Sequence, residues 1–119
     1  MEPVYYCENN VCVVEYQDSI DFEFCQNHNL IKKEYIPLAD LFILDFKNIS
    51  FIDSAGIGNM VGVFRILDAQ SKSLCLINLR SNIRKVLQIS EIEHVFPIFD
   101  SLQDAKSHYK SVLSSPKAL

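Results

Sequence analysis

The run Leu41-Phe42-Ile43-Leu44-Asp45-Phe46 constrains this chain more than any other stretch. A strand with one wet face alternates apolar and polar side chains; this run does not, so it is expected to be buried on both faces, with strands on either side. Ser73-Leu74-Cys75-Leu76-Ile77-Asn78-Leu79 reads as a second buried strand. Between them, Ile57, Met60, Val61, Phe64 and Leu67 recur at helical spacing, which predicts a helix from about Ala55 to Ser71. Strand, helix and strand in that order form a parallel crossover unit.

The flanking segments complete the pattern. Val4-Tyr5-Tyr6-Cys7-Glu8 and Val11-Cys12-Val13-Val14-Glu15-Tyr16 are rich in β-branched and aromatic residues, and the Asn9-Asn10 pair between them signals a hairpin turn. Asp21 can cap a helix carrying Phe22, Cys25, Leu30 and Ile31, which Pro37 would end. Ser81 is a suitable N-cap for a helix through Ile83, Val86 and Leu87 to about Ile89. Val95-Phe96-Pro97-Ile98-Phe99 reads as an edge strand, because Pro97 cannot donate to a central ladder. Asp100 or Ser101 would cap a last helix through Leu102, Ala105, Tyr109, Val112 and Leu113, and the tail 114–119 is expected to fray. The predicted class is α/β: a sandwich with a mixed β-sheet, an N-terminal hairpin and about four helices mostly on one side.

At 119 residues the chain is expected to form one domain, 1–119. Its formal charge of −4 argues against nucleic acid or an anionic membrane as the main partner. Arg80, Arg84 and Lys85 gather on one helix but fit a solvated face. No apolar run approaches the roughly 18 residues of a membrane span, and the start Met1-Glu2-Pro3 is unlike a secretory signal, so no membrane insertion and a cytoplasmic location are expected. Cys7, Cys12, Cys25 and Cys75 show no metal-ligand spacing and read as reduced, buried thiols. One exception follows from the turn: if Asn9-Asn10 forms a two-residue loop, Cys7 and Cys12 lie opposite each other, within reach of a bridge.

The chemistry-bearing stretch is Phe51-Ile52-Asp53-Ser54-Ala55-Gly56-Ile57-Gly58, where the chain passes from a strand region into the predicted central helix. Asp53 or Ser54 can cap the first helical turn, and Gly56 and Gly58 leave the backbone there clear of side chains. The result is a hydroxyl at the positive end of a helix, a place that tolerates phosphate. Serine hydrolysis is not indicated: G-x-S-x-G is absent, and His28, His94 and His108 stand in no partner context. The glycines match neither a dinucleotide fingerprint nor a P-loop, so no cofactor, metal or enzymatic activity is expected. A purely structural reading, in which Asp53-Ser54 only caps the helix, fits the same residues.

Asp53-Ser54-Ala55-Gly56-Ile57-Gly58, after Ile49-Ser50-Phe51-Ile52 and a strand with an acidic residue near its end, resembles the signature of the STAS domain, in particular the bacterial anti-sigma-factor antagonists. The resemblance spans the chain from the first hairpin to the last helix, and it implies a role in signal transduction and transcription regulation by partner switching. It implies that Ser54 is the phosphorylated residue, with Asp53 its motif neighbour and Gly56, Ile57 and Gly58 the helix start that a kinase covers. Asp21 matches an acidic residue placed before the first helix near that loop, although a plain N-cap accounts for it equally. The implied partners are an anti-sigma factor that is also a serine kinase of the histidine-kinase-like ATPase type, and a PP2C-type serine phosphatase. The unphosphorylated form would bind the kinase and release the sigma factor, and the phosphate would block docking by repulsion and desolvation. A different class remains open: a constitutive STAS subunit or scaffold of a transport or stress-signalling complex. Two departures stand out, Ala55 where many relatives carry a hydroxyl and Asp18-Ser19 where relatives often carry glycine.

Overall fold

In the computed structural model, which describes residues 2–110, Asn9 and Asn10 both take positive φ, 52° and 68°. That is the twist a two-residue hairpin loop needs, and it joins β1 (Val4–Glu8) to β2 (Val11–Glu15) in antiparallel register. Glu8 pairs with Val11 at the turn, which leaves Cys7 and Cys12 directly opposite at the next, close-spaced position. Their Cα atoms are 4.1 Å apart and the two sulfurs are joined in a disulfide. The expectation of four reduced thiols therefore fails for this pair, because hairpin geometry holds the two sulfurs together. Cys25 and Cys75 are free.

β4 (Leu41–Asp45) is buried at every residue; with β6 (Ser73–Ile77) and β7 (Ile98–Phe99) it extends the hairpin into a five-stranded sheet ordered β1-β2-β4-β6-β7, of which it is the middle strand, and every pairing after the hairpin is parallel. Phe42 and Leu44 face one core with Cys12, Val14, Leu74 and Leu76; Leu41 and Ile43 face another with Val11, Cys75 and Ile77. The first core is closed by α1 (Phe22–Asn27), α2 (Ser54–Ala69) and α3 (Ser81–Ile89), through Phe24, Met60, Leu67, Ile83 and Leu87. The second is covered by α4 (Leu102–His108) through Ala105. The helices thus lie mostly on one side, as expected.

A second, two-stranded parallel sheet pairs β3 (Asp18–Ile20) with β5 (Ile49–Ile52). Strand β3 was not expected from the sequence, because a three-residue strand carries too little pattern to detect.

Several predicted boundaries move. α1 ends at Asn27, not at Pro37, and Leu30 and Ile31 are buried outside it. Two tyrosines take over the backbone there: Tyr16 Oη donates to Leu30 O at 2.7 Å, and Lys32 N donates to Tyr5 Oη at 2.8 Å. Pro37 lies inside a 3-10 turn, Lys33–Leu38, whose end is held by Lys72 Nζ donating to Ile36 O and Ala39 O at 2.6 and 2.7 Å. α3 is preceded by Arg80 without a side-chain cap, so Ser81 is its first helical residue; Arg80 stays extended with its Nε donating to Lys47 O at 3.2 Å. The edge strand shrinks to Ile98–Phe99, after Pro97. Ser101, of the two candidates, caps α4 by accepting from Asp104 N. Val112, Leu113 and the tail 114–119 lie outside the described residues.

Reducing the Cys7–Cys12 bridge opens only a short loop, so dithiothreitol is expected to lower unfolding free energy by about 2 kcal/mol on the loop-entropy relation. Urea unfolding with and without reductant checks this; the transition should stay cooperative, because Asn10 O and Oδ1 still accept from Asp40 N.

Candidate functional site

β3 and β5 run parallel with Ile20 opposite Ile52. Each strand is followed by an aspartate and then by a helix, so Asp21-Phe22 and Asp53-Ser54 lie side by side as two adjacent helix starts. The two caps have nearly the same backbone, φ −120° and ψ −174° at Asp21, φ −114° and ψ −175° at Asp53. Asp21 Oδ1 accepts from Phe24 N at 2.9 Å, and its Oδ2 accepts from Ser19 Oγ at 3.1 Å. Asp53 Oδ1 accepts from Gly56 N at 3.0 Å, while its Oδ2 accepts from Phe22 N, also at 3.0 Å. One carboxylate thus serves the first turns of both helices.

These bonds act on its charge. The Gly56 N–H holds the Asp53 carboxyl below its ordinary value; burial opposes it, and the N–H groups of Phe22 and Ala55 add to the lowering. Cys25, whose Sγ lies 3.8 Å from Ala55 O between the two helices, is shifted the other way: burial and then the carboxylates of Asp53 and Asp21 push its thiol up. Both effects favour the neutral thiol over the thiolate.

Ser54 is the first residue of α2 and is exposed. Among the described residues its side chain takes no hydrogen bond, since Asp53 supplies the cap. The hydroxyl left open in the sequence as a possible cap is therefore available to another molecule. The other anticipated residues divide. Gly56 is buried: a Cβ there would overlap the carbonyl oxygen of Ile20 and come within 2.9 Å of Ile52 Cγ1, so its role is the close approach of α2 to β3. Ile57 is half-buried against the core, and Gly58 is exposed with open space around it.

Two side chains near this site escaped the sequence reading. Phe22, placed there on the first helix with Cys25, Leu30 and Ile31, is 61% exposed at the start of α1, and Phe24 takes the core instead. Phe51 is 53% exposed on β5, three residues before Ser54. The signal that could have found them is the recurrence of Ile-Asp at 20–21 and 52–53. An open cavity of about 620 Å³ lies elsewhere, on the α4 side of the sheet between Val13, Asp45, Leu102 and Lys106. Among the described residues no His, Cys, Asp and Glu cluster could hold a metal, and no helix is long and apolar enough to cross a membrane.

The two glycines should respond oppositely to alanine. Gly56→Ala is expected to destabilise by roughly 1–3 kcal/mol or more, since backbone must move. Gly58→Ala should stabilise by about 0.5–1 kcal/mol through helix propensity. Denaturant midpoints of the two variants test this. Asp53 also predicts the sign of a pH effect. Its folded-state value is depressed, so its contribution is full above the ordinary 3.8 and is lost as pH falls through the lowered value. Asp53→Asn should be less stable at pH 7 and lose less on acidification than the parent, as read by urea unfolding at several pH values.

With the geometry described, known proteins offer a comparison. The family model of the STAS domain matches residues 2–105. An anti-sigma-B factor antagonist of Bacillus subtilis (strain 168) is 32% identical over 73 residues, 58% of this chain and 66% of that protein. An anti-sigma F factor antagonist of Paenibacillus polymyxa is 23% identical over 70 residues, 59% of this chain and 60% of that protein. The match thus spans less than two thirds of either curated relative. Among solved structures, an anti-sigma-factor antagonist (STAS) domain protein from Planctomyces limnophilus superposes with a TM-score of 0.74 at 18% identity, covering 97% of this chain and 100% of that one. The Bacillus cell fate determinant SpoIIAA in its phosphorylated form gives 0.66 at 22%, covering 89% and 97%. A sulfate transporter family protein from Wolinella succinogenes gives 0.76 at 14%, covering 92% and 93%. At these identities the structural likenesses carry the fold.

Proposed function

The chain belongs to the STAS domain family, and we propose that it is an anti-sigma-factor antagonist switched by phosphorylation of Ser54. In its unphosphorylated form it binds a serine-kinase anti-sigma factor of the histidine-kinase-like ATPase type, so that the sigma factor is released. The kinase transfers phosphate to the Ser54 hydroxyl and loses its grip, and a PP2C-type phosphatase restores the binding form. Such a protein works as a cytoplasmic binding partner rather than as an enzyme.

The observation that carries this reading is the division of labour at the start of α2. Asp53 satisfies the helix amides, which leaves the neighbouring hydroxyl exposed and without an internal task. A pure capping role belongs to Asp53, so Ser54 needs another explanation. The helix terminus can receive a phosphate without unfolding, because its dipole favours negative charge. Phosphorylation adds about −1.5 to −2 charge units at a point the fold does not bury. The sense of the switch is thus a change of surface, with the core untouched.

Incubation with the kinase and ATP, followed by peptide mapping, should place the phosphate on Ser54 and on no other residue. A product modified elsewhere, or unmodified chain, contradicts the proposal. Ser54→Asp should weaken kinase binding while leaving the melting temperature within a few degrees of the parent; a large stability loss would restore the capping reading. Binding that phosphatase treatment does not alter would instead favour the constitutive subunit of a transport or stress-signalling complex.

A further inference from the structure

The geometry points to Phe22 and Phe51 as the apolar anchors by which the kinase grips the Ser54 face, through an apolar pocket edged by lysine or arginine. This inference rests on the proposed kinase partnership and adds to it the chemistry of the contact. The pairing of Ile20 with Ile52 sets the starts of α1 and α2 side by side, so Phe22 and Ser54 occupy equivalent first-turn positions on adjacent helices. The hydrogen bond from Phe22 N to Asp53 Oδ2 holds them there. Phe51 stands on the other flank, on the strand that leads into Ser54. Two large aromatics, 61% and 53% exposed, thus lie on the two elements that meet at Ser54, one at the start of α1 and one on the strand leading into α2.

Neither ring is among the side chains packed against either core, and the two lie on adjoining elements rather than scattered singly over the surface. Exposed aromatics of this kind are the usual centres of binding energy in protein contacts. The charge around them names the edge of the partner's pocket. Segments 17–31 and 49–64, which build this face, contain Asp18, Asp21, Glu23 and Asp53 but no lysine or arginine. Of the basic residues nearby in sequence or on α3, Lys32 pairs with Glu2, Lys47 Nζ with Glu15 and Asp45, and Arg84 with Glu93, while Arg80 Nε donates to Lys47 O; Lys33, Arg65 and Lys85 lie outside the acidic segments. Of the four carboxylates, Asp53 and Asp21 are occupied as caps, which leaves exposed Asp18 and Glu23 at the periphery for a basic rim. A phosphate on Ser54 would have to shed its hydration beside these apolar rings on docking, and that cost outweighs its attraction to the basic rim.

The test uses the kinase that modifies Ser54, titrated calorimetrically against the full chain. Phe22→Ala and Phe51→Ala should each weaken binding roughly tenfold or more, with unchanged melting temperatures, and parent binding should weaken as salt is raised. Ile89→Ala, at a side chain 80% exposed on α3, is the control and should change affinity by less than about twofold. Both phenylalanine variants binding within about twofold of the parent would overturn the anchors while leaving phosphorylation of Ser54, and so the switch, standing. A concentration-dependent dimer that Phe22→Ala abolishes, without loss of kinase affinity, would give the face to a second copy of the chain and equally overturn the inference. Failure of any such kinase to modify Ser54 sinks the underlying reading and this contact with it.

Discussion

The two oxygens of Asp53 accept from the first turns of two different helices, Gly56 N in α2 and Phe22 N in α1, each at 3.0 Å. Helix starts leave amides without internal partners, and two starts set side by side would concentrate that deficit at one place. A carboxylate meets it with charge-assisted bonds, which are about twice as strong as neutral ones. Because Asp53 does this work, the residue after it is relieved of capping and can face outward. The availability of Ser54 is therefore a consequence of how its neighbour is used.

That arrangement depends on closeness as well as charge. α2 approaches β3 so tightly that position 56 has no room for a side chain beside the Ile20 carbonyl. The short β3–β5 sheet sets this distance by pairing Ile20 with Ile52. Behind it, the fully buried β4 and the first core, with Met60 and Leu67 from α2, hold the helix at a constant position on the large sheet. The Ser54 hydroxyl thus sits at a helix start that is packed from behind while its own side chain faces outward.

Much of this was legible in the residues. The unbroken apolar run of 41–46, the helical stripe after Ile57 and the Asn-Asn turn each carry a strong local signal, because burial on two faces, a 3.6 period and a positive-φ loop leave distinct residue patterns. The Asp-Ser-x-Gly stretch likewise reads as a capped helix start. What escaped was decided at a distance. α1 stops at Asn27, and beyond it the backbone at Leu30 and Lys32 is met by the hydroxyls of Tyr16, just past β2, and Tyr5 on β1. Phe22 and Phe24 are the same residue type two positions apart, and only packing against α2 and the sheet decides which ring goes inside.

By itself, then, the order of residues determined the class of fold, the central strand and the location of the hydroxyl-bearing turn, since each rests on interactions within a few residues. Tertiary structure alone decided that Asp53 rather than Ser54 is the cap shared with a second helix, that Cys12 finds Cys7, and that Phe22 and Phe51 are left outside. The physical reason is common to all three. Each outcome depends on which strand lies beside which, and strand neighbours are chosen by the burial of the whole core, a sum over distant contacts that no single window of sequence contains.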